Sequence, residues 1–154
     1  MKKTVDFYNL AWRWHFYAGL FVAPFMILLA FTGIIYLFKP QLDVLMYRDL
    51  LEVQPAAQVL SADEQLARLH QALPQAAVSK YLPPATSASS AQFVASLEGR
   101  ETNLFVNPYS GELLGSQDAH YNLQAIARAL HGELMIGTVG DRLIELAAGW
   151  GIVL

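Results

Sequence analysis

The longest uncharged stretch of the chain runs over residues 14–38, WHFYAGLFVAPFMILLAFTGIIYLF, between Arg13 and Lys39. A helix rises about 1.5 Å per residue, so about 20 apolar residues cover a hydrocarbon core about 30 Å thick. The run predicts one membrane-spanning helix. Aromatic groups stand at both ends, Trp12, Trp14, Phe16 and Tyr17 around its start and Tyr36 and Phe38 at its close. Those are the levels where amphipathic rings meet lipid headgroups. Pro24 is tolerated in lipid and predicts a kink, and Lys39-Pro40 closes the span.

Beyond residue 40 the pattern becomes that of a water-facing domain. Leu42, Leu45 and Met46 continue helical spacing briefly, as an extension of the first helix. Ser61 and Glu64 have the spacing of a capping box, which opens a helix with Leu66, Leu69 and Leu73 on one face and Pro74 at its end. Residues 78–82 read as a short strand stopped by Pro83-Pro84, and residues 85–91 as a small polar loop. Residues 92–97 and 102–106 alternate as two strands joined by a hairpin turn at Glu98-Gly99-Arg100. A second turn at 107–111 leads to a final strand over 112–114.

Helical spacing returns after Asp118, a candidate N-cap. Leu123, Ile126, Ala127, Leu130 and Leu134 then recur at intervals of three and four. His131 lies on or beside that apolar face. Residues 137–140 predict a break, after which Asp141 caps another helix. Its uncharged part, residues 146–154, would rise only about 14 Å. The chain therefore reads as the N-terminal portion of a longer protein, stopping partway into a second span.

The predicted organisation is a tail and transmembrane helix over 1–40, a helix-plus-sheet domain over 41–117, an amphipathic helix over 118–140 and the start of a second span over 141–154. The apolar run is too long for a cleaved signal peptide, whose core is about 7–15 residues, and reads as an uncleaved anchor. Lys2, Lys3 and Arg13 before the helix, against Lys39 and Arg48 after it, favour a cytoplasmic N-terminus.

Composition narrows the chemistry. A hydrophobic share of 55 % with 15 % charged residues is that of a membrane chain, and a net charge of -3 gives no reason to expect nucleic acid. The absence of cysteine excludes disulfides, thiolate metal sites, iron–sulfur clusters and covalent haem attachment. Any metal would rest on histidine, methionine, tyrosine or carboxylate. Of the four histidines, His15 stands at the membrane edge, where a polar side chain calls for a partner. Gly19, one turn on, leaves room for a flat macrocycle beside it. His70 and His120 read as surface residues. There is no phosphate-binding glycine loop, no HExxH and no nucleophile elbow. Asp141, Arg142 and Glu145 read as an ion pair or a headgroup contact.

Three segments carry a resemblance. Trp14-His15 with Gly19 and Thr32-Gly33-Ile34-Ile35-Tyr36 resemble the first helix of the PepSY-associated transmembrane proteins, which include iron-regulated membrane proteins and ferric-siderophore reductases. Residues 104–114, LFVNPYSGELL, are similar to the hairpin of a PepSY domain. Leu130-His131-Gly132 and residues 140–146, GDRLIEL, are similar to the approach to that family's second span. The likeness covers nearly the whole chain, although the further helices of the family do not follow. It implies a membrane protein of mixed α and α+β class in the bacterial inner membrane, its PepSY-like domain in the periplasm.

It also implies haem b, held through histidines at the positions of His15 and His131, in a protein that passes electrons across the membrane to a ferric siderophore. With one crossing between them, these two histidines would stand on opposite faces and serve different haems. Each haem would need a second ligand from further transmembrane helices or another subunit, and this chain alone would be inactive. The other reading is a membrane-anchored PepSY module that binds or restrains a periplasmic protein such as a peptidase, without enzymatic activity.

Overall fold

A computed structural model describes residues 6–154, so Lys2 and Lys3, which bear on orientation, lie outside the described residues. The chain divides into two compact units, one comprising Phe38–Ala125 and the other the flanking segments through Leu37 and from Ile126.

In the flanking unit, α1 (Phe7–Leu37) is continuous through Pro24 and about 46 Å long at the standard rise. It begins two turns earlier than the uncharged run, taking in Arg13. α4 (Leu123–Glu133) leads through a tight turn to α5 (Thr138–Val153). α5 runs antiparallel to α1. Gly151 faces Val22 and Met26, and the last residues, Val153 and Leu154, share a groove with Ala18 and His15 further back along α1. Trp150 meets Phe21 edge-on, with centroids 5.8 Å apart. Small residues allow the approach: Ala147 is fully buried, and a Cβ on Gly151 would stand 3.6 Å from Val22 Cγ1. In lipid, which gives little hydrophobic reason for helices to associate, such close van der Waals contact is the main attraction.

Several expectations for this region are corrected. The helix expected over 118–140 occupies only Leu123–Glu133, and its cap is Asn122, whose Oδ1 accepts the Ala125 N–H at 2.9 Å. Asp118 is instead the last residue of a strand. His120 sits in the following bend, not on the helix. Leu134 and Met135 take positive φ, so Leu134 leaves the helical face it was expected to continue. Thr138 and Gly140 already belong to α5, which starts after Gly137, while Asp141 lies inside its first turn. Gly140 has a steric reason: an added Cβ would fall 1.8 Å from the Glu133 carbonyl oxygen.

In the other unit, α2 (Lys39–Leu51) is a separate helix, with Pro40 in its first turn and i,i+4 pairs Lys39–Asp43 and Arg48–Glu52 along it. Phe38 departs from helical geometry, and Pro40 favours a break there because it has no N–H to carry the α1 ladder on to the Tyr36 carbonyl. α3 (Ala62–Ala72) has the full capping box: Glu64 N–H donates to Ser61 Oγ, and Ser61 N–H donates to Glu64 Oε2 at 2.8 Å. Four antiparallel strands follow in spatial order: β1 (Ala77–Leu82), β2 (Ala91–Leu97), β3 (Arg100–Val106) and β4 (Leu113–Asp118). The first hairpin turns on Glu98 and Gly99 alone, both at positive φ, which is the twist a two-residue turn needs; Arg100 is already in β3.

One sheet face packs on α3 through Leu69, Phe93, Ala95, Leu104 and Val106, all essentially inaccessible. The opposite face lies against α2, where Leu50 reaches Gly115 of β4. Asn107 Oδ1 accepts the Tyr109 N–H at 2.9 Å and shapes the β3–β4 turn, which Arg68 of α3 clasps by donating to the Ser110 carbonyl at 2.8 Å.

The capping box makes stability depend on pH. Hydrogen bonds from the Ser61 side chain and backbone hold the Glu64 carboxyl below its usual 4.5. Its contribution is complete above that value and is lost as pH falls through the lower folded-state value. Denaturant melts of wild type and Ser61→Ala between pH 7 and 3 should differ most at pH 7, the gap narrowing toward the acid end to what the Glu64 N–H bond to Ser61 Oγ contributes. At the helical pair, Ala147→Leu overfills a closed contact and should cost about 1–3 kcal/mol, read as lowered resistance to unfolding in detergent.

Candidate cofactor site

α1 carries one buried polar side chain, Thr32, which is 2 % exposed. Its Oγ1 lies 2.8 Å from the Leu28 carbonyl oxygen one turn back and 3.2 Å from that of Leu29, the usual resort of a hydroxyl in an apolar helix. The same oxygen lies 2.8 Å from His131 Nδ1, near the end of α4. His131 follows buried Ala127 by one turn, so the amphipathic stripe that seats α4 also aims the imidazole at α1. Gly33 completes the seat. A Cβ there would stand 3.7 Å from His131 Cε1, so any longer side chain would crowd the ring. Despite this anchoring, His131 as a residue remains exposed.

His15 stands near the opposite end of α1. It is exposed and lines an open groove of about 440 Å³ with Trp14 and Ala18 of α1 and Trp150 of α5. Ala11, His15 and Ala18 fall on one helical face, where the two alanines keep the floor low. Gly19, one turn from His15, has no heavy atom within 4 Å of where a Cβ would stand. The seventeen residues from His15 to Thr32 amount to about 25 Å of helix, so His15 and His131 are not brought together.

The remaining histidines lie in the sheet unit. His70 is exposed on α3, and His120 donates its backbone N–H to Asp118 Oδ1 at 2.8 Å. That bond and one from the Tyr121 N–H hold the Asp118 carboxyl below its ordinary value. Arg142 and Glu145 form an ion pair at 2.6 Å. Among the described residues no three His, Asp or Glu side chains converge as a metal-binding group. Thr32 was quoted from sequence only as part of a motif. The available signal was a hydroxyl inside an otherwise apolar span, which needs a partner as much as a charge does.

A helix long and apolar enough to cross a bilayer, paired with an antiparallel partner and joined to a helix-and-sheet domain, defines a membrane-anchored protein of mixed α and α+β class. The family model described as PepSY-associated TM region matches residues 12–154, and the chain belongs to that family. No curated protein matches it.

Proposed function

We propose that the chain is part of a haem-b protein of the bacterial inner membrane that passes electrons across the bilayer to reduce a ferric chelate such as a siderophore. The observation that carries this reading is the bond between Thr32 and His131. Thr32 has a single hydroxyl proton, which the Leu28 carbonyl accepts at 2.8 Å, leaving an oxygen lone pair to accept the His131 Nδ1–H. In the neutral ring, that assignment leaves Nε2 without a proton, as ligation of iron requires. A fixed partner on the far nitrogen is the arrangement that orients metal-bound imidazoles.

Two features support a haem. His131 supplies an imidazole held against Gly33, and His15 supplies a second, exposed one beside a groove of about 440 Å³ floored by alanines. A bound haem would supply one-electron exchange between ferric and ferrous iron. On this reading the two histidines, set far apart along α1, serve different haems, with the second ligands coming from further transmembrane helices or another subunit. In this reading the N-terminus is cytoplasmic and the sheet domain periplasmic, beside the ferric acceptor.

The test is the visible spectrum of the intact membrane protein after haem supplementation. His131→Ala and His15→Ala should each remove part of the Soret absorbance. Thr32→Val should keep the ligand but weaken haem retention about 10–100-fold and raise the midpoint potential, because the imidazole becomes a poorer donor. Absence of a Soret band, or one that no variant alters, overturns the reading. A haem-free protein that retains a periplasmic peptidase would favour the non-enzymatic module instead.

A further inference from the structure

Between α2 and the sheet face turned away from α3 lies a pocket of about 190 Å³. Neighbouring strands line it with carboxamides: Gln92 of β2, Asn103 of β3 and Gln117 of β4, the last two being cross-strand partners. Gln124, in the first turn of α4, closes one side. Tyr47 lines the α2 side at the point where that helix departs from helical geometry, with φ -132° and ψ 28°. The Phe105 ring, 5 % exposed, adds an apolar surface.

Gln124 is the informative residue. It is 9 % exposed, and neither its Oε1 nor its Nε2 has a hydrogen-bond partner. Asn122, two residues earlier, shows the ordinary outcome, its amide donating to the Asp118 carbonyl and its oxygen capping α4. A buried carboxamide with neither end satisfied costs as much as lost hydrogen bonds, and a leucine at the same position would avoid that cost. Both amide atoms are closed to solvent in this arrangement, so a ligand that both donates and accepts would remove the cost once the side chain turns toward the pocket.

We propose that this pocket binds one ring of a neutral sugar. Carboxamides are matched donor–acceptor pairs, and so are vicinal hydroxyls. Lys39 and Asp43 at the rim pair with each other, which leaves no net charge to favour an ionic ligand. Phe105 supplies apolar lining for the C–H groups of a sugar. At about 30 Å³ per water, the volume equals about six waters, smaller than a drug-sized site and on the scale of a single hexose.

The full chain, in a detergent without a sugar headgroup and with its glutamine side chains labelled with nitrogen-15, is titrated with glucose, galactose and N-acetylglucosamine, and with glycerol and propionamide as controls. The expected result is a saturable shift of the Gln124 amide with at least one sugar and with neither control. The affinity should fall about tenfold or more in Gln124→Leu and in Gln117→Leu. Gln117 is only half-buried, so its variant carries the test if Gln124→Leu does not fold. No saturable shift with any sugar, meaning a pocket that holds water only, overturns the proposal. So does saturation by propionamide in place of sugar, or undiminished sugar binding by both variants.

Discussion

Inside a bilayer no water is at hand to satisfy a polar group, and this requirement governs the flanking unit from end to end. α1 meets it for the backbone by remaining helical over thirty-one residues. Thr32 is the side chain for which the helix alone is not enough. Its proton can return to the carbonyl one turn back, but its remaining lone pair looks outward. His131 answers it, and thereby gains an orientation that an exposed histidine on an amphipathic helix would otherwise lack. The same contact relies on a small residue at Gly33, where a longer side chain would crowd the ring, and, further along, on small residues where α5 meets α1. Satisfaction of one hydroxyl and the closeness of two helices are therefore parts of one arrangement.

The sheet unit follows the opposite regime, with one dry face and one wet face. α3 closes the dry side with aliphatic residues around Phe93, held by a capping box at one end and by Arg68 across the β3–β4 turn. α2 covers the other side less completely, and its inward neighbours on the sheet are amides instead of aliphatics. Polar residues under a helix are costly unless something pairs with them. The asymmetry between the faces is what separates a structural surface from a recognition surface in this domain.

The parts legible in the sequence were those decided locally. Ser61 and Glu64 lie three residues apart and form their box as expected, Glu98-Gly99 turns where its residue types allow, and the uncharged run becomes α1. Asp118 failed as a cap for a non-local reason. It and Asn122 are both short polar side chains able to start a helix, and the choice fell to Asn122 because pairing with Thr102 of β3 draws Asp118 into β4. The Thr32–His131 bond joins residues 99 apart, beyond any periodicity. The carboxamides at 92, 103, 117 and 124 share no local spacing either; strand register gathers the first three, and the start of α4 adds Gln124.

The contact between α1 and α5 closes over the whole of Phe38–Ala125. During synthesis α1 leaves the ribosome with its eventual companion still untranslated, so its first neighbours are lipid alone. Chain-closure entropy grows only logarithmically, about 0.6 kcal/mol for each doubling of the intervening length, so the long interval adds little to the final balance. Its effect is on timing: the intervening domain can finish folding before the helices meet, and the imidazole that awaits Thr32 arrives among the last pieces to be set in place.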